Sequence, residues 1–210
     1  MSTLEIKSVF YTYEKGKNIL SDINAVLETG KMYAILGPSG SGKTTLLSIL
    51  GGLDVPVKGN ILFDGEDIAE KGLDYHRRNR IAMVFQSYNL IDYMNPIENV
   101  VLTANKSAFS VLERLGITAE ETKRNILKLS GGQQQRVAIA RALASDAPII
   151  LADEPTGNLD EDTAAGIVKI LKESAHEFQK CVIVVTHANE VAGQADVVFK
   201  IKRGGIEVVR

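Results

Sequence analysis

Gly37-Pro38-Ser39-Gly40-Ser41-Gly42-Lys43-Thr44 follows the apolar run Met32-Tyr33-Ala34-Ile35-Leu36 and precedes Thr45-Leu46-Leu47-Ser48-Ile49-Leu50-Gly51-Gly52. A strand-length apolar run, a glycine-rich turn and an apolar segment stopped by paired glycines predict strand, loop and helix in that order. That order is what a phosphate cradle needs. Glycines let consecutive backbone N–H groups turn toward phosphate oxygens, Lys43 supplies a point charge for the β- and γ-phosphates, and the Thr44 hydroxyl is a Mg²⁺ ligand. Gly37, Pro38, Ser39, Gly40, Ser41, Gly42, Lys43, Thr44 and Thr45 are therefore the expected phosphate-binding residues.

Outward from this loop, residues 4–13 and 18–28 alternate as strands, and Asn60-Ile61-Leu62-Phe63-Asp64-Gly65 reads as another ending in an Asp-Gly turn. These predict an antiparallel flank. Residues 81–85, 149–152, 182–185 and 197–201 are continuous apolar runs, and helical patterns over 133–144 and 162–175 separate several of them. The alternation predicts a mostly parallel sheet covered by helices, an α/β fold. Between Ser87 and Leu129 the pattern changes to short helices over 99–105, 107–115 and 119–127 with no strand between them. We read one domain over 1–210, with a core of 1–86 and 129–210 and an inserted helical lobe over 87–128. Ala108, Val111, Leu112 and Leu115 share one helical face, which predicts local packing. The run His76-Arg77-Arg78-Asn79-Arg80 reads as a solvated helix end.

At 210 residues and 45% hydrophobic content the chain suffices for one well-buried core. Twenty-four basic against 26 acidic residues give a net charge of −2, so no broad basic surface advertises nucleic acid and none is expected as a partner. The longest apolar runs fall far below the ~20 residues of a membrane span, and Met1-Ser2-Thr3-Leu4-Glu5-Ile6-Lys7 lacks the apolar core of a signal peptide. A cytoplasmic location is expected. Cys181 sits in a buried-strand pattern and reads as a small core residue.

A second motif, Leu129-Ser130-Gly131-Gly132-Gln133, opens the helix carrying Gln134-Gln135-Arg136. A serine and two glycines before a helix present free backbone N–H groups and a hydroxyl at the positive end of the dipole, a second phosphate site. With the first loop it resembles the ATP-binding cassette (ABC) ATPases, and the resemblance covers nearly the whole chain. It implies ATP and Mg²⁺ as ligands and a P-loop NTPase cassette fold with a mixed, mostly parallel sheet, an antiparallel β flank and a small helical lobe. Since one ATP is already held by the first loop, the resemblance implies that Ser130, Gly131, Gly132 and Gln133 face the ATP of a second copy of the cassette.

Phosphoryl transfer needs phosphate positioning, metal ligation, an oriented water and donors for the charge developing on the γ-phosphoryl group. Ile149-Ile150-Leu151-Ala152-Asp153-Glu154 is an apolar strand ending in two carboxylates. Adjacent acids after a strand are also common in solvated loops and helix caps. The following Pro155-Thr156-Gly157-Asn158-Leu159-Asp160 resembles the family's turn and dimer-contacting loop, which implies Asp153 as a Mg²⁺ ligand through water, Glu154 as the base for the attacking water and Asp160 at the shared site. His187, after a Val-Val-Thr strand end, resembles the family's switch histidine at the γ-phosphate, although a lone histidine there could equally cap or face solvent. Gln86, at the end of the strand over 81–85, matches the family's Q-loop position, which implies contact with Mg²⁺ or water. The expected catalytic set is thus Glu154, His187, Gln86 and Lys43, and the metal set Thr44, Gln86 and Asp153. Tyr13 matches the aromatic that stacks on adenine, with Tyr11 and Phe10 as neighbours that an ordinary strand would also carry.

Gly51-Gly52-Leu53-Asp54, Glu98-Asn99-Val100, residues 129–142 and 153–160 resemble most closely the macrolide-export, lipoprotein-release (MacB/LolD-like) and bacteriocin-export group, with the cell-division cassette FtsE a near relative. These are separate ATPases docked on an integral membrane permease, which implies a cassette powering export of peptides, antimicrobials or lipid-linked substrates, peripheral on the inner face of the membrane. An FtsE-like cassette signalling without transport is the alternative. Residues 86–130 are fewer than is usual in the group, and 124–128 lack its frequent Pro or Gln; both departures lie where permease contact is expected, with Glu98, Lys106 and Glu113 as candidate exposed charges.

Overall fold

The computed structural model describes residues 1–13, 18–104 and 107–210. Its central sheet has six strands: β3 (Met32–Leu36), β6 (Ile81–Val84), β7 (Ile149–Asp153), β8 (Cys181–Thr186), β9 (Val197–Lys202) and β10 (Gly205–Val208) in the order β10-β9-β3-β8-β7-β6. All neighbours pair in parallel except β9 and β10. The continuous apolar runs are explained by burial on both faces. Met32, Ala34, Ile150, Ala152, Val182 and Val184 point into one core cluster. Tyr33, Ile35, Ile149, Leu151, Ile183 and Val185, one residue out of phase, point into the other. Cys181 is buried there, its thiol pushed up to about 12 by desolvation, as expected of a core cysteine.

The second cluster is closed by α1 (Lys43–Leu50), through Leu46, Leu47, Ile49 and Leu50, and by the flanking antiparallel sheet. That sheet comprises β1 (Thr3–Thr12), β2 (Asn18–Glu28), β4 (Lys58–Phe63) and β5 (Glu66–Asp67) in the order β2-β1-β4-β5. The helix carrying the phosphate loop is therefore gripped between two sheets, which fixes its N-terminus at the carboxyl end of β3. On the other face lie α5 (Gly131–Ala144) and α6 (Glu161–His176), contributing among others Val137, Ala140, Ile167 and Leu171. Truncating Ile167 or Leu171, both fully buried, to Ala would cost about 2–5 kcal/mol.

The lobe is built from α3 (Pro96–Val101), α4 (Ala108–Arg114) and two 3₁₀ turns, Glu121–Lys123 and Ile126–Lys128. Ala108, Leu112 and Leu115 are buried and Val111 packs against them, and their cluster runs on through Ile117 and Ile126 into the first core. Two expected helices differ. The helix expected over 99–105 starts earlier, because the Asn95 side chain accepts from Glu98 N at 2.9 Å while Glu98 accepts from Asn95 N at 2.8 Å, with Pro96 at the first helical position. It also ends earlier than expected, at Val101 with Leu102 as its C-cap, while Asn105 and Lys106 lie outside the described residues. The helix expected over 119–127 is only the two 3₁₀ turns, separated by extended Arg124.

The segment around His76 is α2 (Leu73–Arg80), a helix end as expected with Arg78 and Asn79 exposed, but the solvated reading is corrected for His76 and Arg80. His76 is fully buried with Nε2 2.9 Å from Leu50 O. Arg80 is buried too, paired with Glu66 and with its guanidinium 4.8 Å from the centre of the Phe63 ring. The three-dimensional partners lie on α1, β4 and β5, where a local charge count does not see them. A further short helix, α7 (Asn189–Ala192), follows β8.

Candidate active site

The carboxyl ends of β3, β7 and β8 converge, where ligand crevices form in such sheets. Gly42 sits in the left-handed region, φ 99°, and no side chain caps the N-terminus of α1, so the first-turn N–H groups face outward as an anion site. Lys43 is 5% exposed, and its ammonium donates to Gly37 O at 2.8 Å and Pro38 O at 3.1 Å. Those two bonds hold it inside the loop and leave one of its three donors for a phosphate. Ser41 Oγ is buried without a partner among the described residues, a hydroxyl suited to the same anion.

Thr44 Oγ1 lies 3.4 Å from Asp153 Oδ1, so two hard oxygen ligands stand together. Burial pushes the Asp153 carboxyl above the ordinary range and the neighbouring Glu154 charge adds to this, against the Thr44 bond and the Lys43 charge. Among the described residues no group of three His, Cys, Asp or Glu could hold a metal. The Thr44–Asp153 pair is of the kind that suits Mg²⁺, which is held through one or two protein oxygens plus substrate phosphate.

Glu154 follows at φ 42°, a conformation costing a non-glycine residue about 1–3 kcal/mol. Its N–H donates to Val185 O at 3.0 Å, tying the end of β7 to β8, and its Oε2 is 2.9 Å from His187 Nδ1. Glu154 and His187 open together onto a cleft of about 940 Å³ that also meets Thr156, Gly157 and Leu159. Gln86, just past β6, reaches the same turn: Asn158 Nδ2 donates to Gln86 O at 3.4 Å, and the Gln86 side chain lies against Gly157. The structure thus gathers Lys43, Thr44, Asp153, Glu154, His187 and Gln86.

The second motif, the signature Leu129-Ser130-Gly131-Gly132-Gln133, is a separate assembly. Ser130 caps α5, accepting from Gln133 N at 3.3 Å while Gln133 Oε1 accepts from Ser130 N at 2.9 Å, and Gln133 Nε2 donates to Glu121 Oε1 at 2.5 Å. Gly132 has no room for a side chain, since a β-carbon would come 2.5 Å from Thr163 Cγ2. Asp160 caps α6 by accepting from Thr163 N at 3.0 Å, and that bond holds its carboxyl below the ordinary range. Signature and Asp160 loop are thereby packed as one surface, and Gln133 is committed to the lobe through Glu121.

Tyr13 is 66% exposed, with its hydroxyl 2.9 Å from Thr45 Oγ1, whereas Tyr11 is buried. Of the two tyrosines, Tyr13 presents its ring beside the loop. Sequence reasoning missed Arg141. Half-buried on α5, with its guanidinium pKa lowered by desolvation, it donates to Asn89 O at 2.7 Å and Tyr88 O at 3.3 Å, fastening the segment after Gln86 to the helix opened by Ser130. Nothing local marks it, since an arginine late in a helix also suits a plain C-terminal cap.

The profile of the family described as ABC transporter matches residues 20–157. The ABC transporter ATP-binding protein YclH of Bacillus subtilis is 44% identical over 99% of this chain and 97% of its own length. The cassette MJ0796 of Methanocaldococcus jannaschii, solved as a dimer, superposes with a TM-score of 0.85 at 38% identity over 99% of both chains. The same cassette has been solved in a post-hydrolysis state bound to ADP and Pi, with a TM-score of 0.84. The macrolide export ATP-binding/permease protein MacB of a Shewanella species is 40% identical over 97% of this chain, which spans 33% of that protein's length.

Proposed function

The chain belongs to the ABC transporter family of ATP-hydrolysing cassettes, and on that premise we propose that two copies close around two ATP molecules to drive a membrane export permease. The observation that carries the hydrolytic reading is the Glu154 carboxylate 2.9 Å from His187 Nδ1, beside the Thr44–Asp153 pair and the Lys43 loop. The α1 N–H groups and Lys43 hold the phosphates. Thr44, Asp153 through water, and Gln86 would hold Mg²⁺, which when bound neutralises phosphate charge. Glu154 takes the proton of the attacking water, a P–O bond forms at the γ-phosphorus as the bond to ADP breaks, and Lys43 and His187 stabilise the developing negative charge.

The second copy supplies Ser130, Gly131 and the N-terminal donors of α5 to that γ-phosphate, with Asp160 at the seam. The relation to MJ0796, solved as a dimer, supports this reading, as does the seating of the signature on Thr163 and Glu121 rather than on the phosphate loop. Each site joins two different half-sites, and a two-fold axis makes two such sites within one isologous interface.

The similarity to a macrolide export ATP-binding/permease protein favours export through a membrane permease; among the described residues no helix is long and apolar enough to cross a membrane. Val101, Leu102 and Phe109 on or beside α3 and α4, with Tyr93 and Leu127, expose apolar surface on the lobe, where we place that dock. The cassette would then sit on the inner face of the membrane through its partner.

Two substitutions test the hydrolytic roles. Glu154→Gln should retain MgATP binding and lower turnover by about 10²-fold or more, whereas Lys43→Ala should lose affinity first. Turnover by Glu154→Gln near the wild-type rate would remove Glu154 as the base.

A further inference from the structure

The exposed Tyr13 ring is held from behind by residues outside the nucleotide motifs. The Tyr11 and Tyr13 rings meet edge-on, their centres 5.0 Å apart and their planes at 84°. Tyr11 is 7% exposed against 66% for Tyr13, so the first is part of the core and the second stands on it. The Tyr11 hydroxyl donates to Asp54 Oδ2. Asp54 lies just beyond the C-terminal end of α1, and its other oxygen accepts from Val55 N at 3.0 Å, which orients the carboxylate toward Tyr11.

Helix α1 therefore holds the tyrosine pair at both ends. Thr45 in its first turn meets the Tyr13 hydroxyl at 2.9 Å, and Asp54 past its last turn anchors Tyr11. An edge-on contact occupies at most one face of a ring, which leaves a Tyr13 face open for a flat ligand. We propose that Tyr11 and Asp54 are positioning residues that set the plane of Tyr13 for the adenine base, so that base recognition is referenced to the helix that holds the phosphates.

This rests on the reading of Tyr13 as the adenine platform. The hydrogen bond to Asp54, followed by burial, pushes the Tyr11 phenol up to about 12, which keeps its hydroxyl a donor at neutral and mildly alkaline pH. A carboxylate half-buried beside a core tyrosine also locks the ring against rotation about its side-chain torsions, which a hydrophobic contact alone would not do.

The experiment compares MgATP with Mg-tripolyphosphate, which carries the phosphates and no base. Binding is measured calorimetrically in a Glu154→Gln background, and KM and kcat in the otherwise native chain. Tyr11→Phe and Asp54→Ala should each weaken MgATP by about threefold to tenfold and leave tripolyphosphate within twofold, because a misaligned aromatic contact costs that much and the phosphate loop is untouched. Their KM should rise by a similar factor with kcat moving less. Asp54→Asn, which keeps an acceptor for the Tyr11 hydroxyl, should restore most of the ATP affinity. Parallel weakening of both ligands would mean a general structural effect and overturn the proposal, as would no change in either. Tyr13→Ala separates the two readings. If it weakens ATP alone while Tyr11→Phe and Asp54→Ala do nothing, the platform stands and the positioning role falls; if it leaves ATP unaffected, both fall.

Discussion

A β-carbon on Gly157 would lie 2.8 Å from Gln86 Nε2, so the turn after Glu154 and the loop entering the lobe touch through an absent side chain. Gln86 is the far end of a flexible side chain and would yield to a methyl group without unfolding the turn. Gly157→Ala should therefore keep the melting temperature within about 3 °C, a change near 1 kcal/mol for a chain this size. Its kcat should fall by about tenfold or more, since displacing a metal- or water-contacting group by an ångström is costly. Steady-state kinetics with a thermal melt on one preparation checks both, and an unchanged kcat would sever Gln86 from the chemistry.

Asp153 couples function to stability in opposite directions. Its carboxyl is raised from 3.8 by burial first, so the folded chain binds that proton more tightly than the unfolded one. Stability from this group is complete below 3.8 and is lost as pH rises through the raised folded value, leaving a buried charge without its metal at neutral pH. Asp153→Asn should thus raise the melting temperature at pH 7 without nucleotide, by an amount that vanishes toward pH 3, while abolishing Mg²⁺-dependent turnover. A variant melting lower than the native chain at pH 7 would contradict the assigned cause.

The docking assignment needs probes that leave the lobe folded. Glu98 is unsuitable, because its carboxylate closes the cap of α3, and reversing it would cost about 1 kcal/mol of helix stability. Lys106 lies outside the described residues. Glu113, exposed on α4, and the exposed Leu102 and Phe109 remain. Glu113→Lys, Leu102→Asp and Phe109→Asp should reduce cofractionation with membranes severalfold while basal ATPase activity of the isolated cassette stays within twofold. Wild-type recovery of all three with membranes would remove the lobe as the dock.

The central sheet was legible because β3, β7 and β8 are buried on both faces, so each reads as an unbroken apolar run with a chemical motif at its end. The strand-end positions of Glu154 and His187 were legible for the same reason, since each directly follows such a run or its terminal Thr186, while the roles expected of them came from the resemblance to the ABC ATPases. Other features depended on contacts distant in sequence. His76 and Arg80 look like parts of a solvated basic run until α1 and the flanking sheet close over them. Arg141 gains its meaning only from the carbonyls of Tyr88 and Asn89, 53 and 52 residues away. The start of α3 was a different case: Asn95-Pro96-Ile97-Glu98 carries the capping pattern, and the hydrophobic period pulled the boundary too far along the chain.

The shared site is the core of the account, and the mass of the Glu154→Gln chain with nucleotide tests it most directly. Removing the base should trap the closed state, because each signature completes the partner's site and the bound ATP is not consumed. Light scattering at tens of micromolar protein should give a dimer with saturating ATP and Mg²⁺, a monomer with ADP, and a monomer with ATP when Ser130→Arg is added to block the signature. A chain that binds ATP and stays monomeric under those conditions would contradict a site built from two copies.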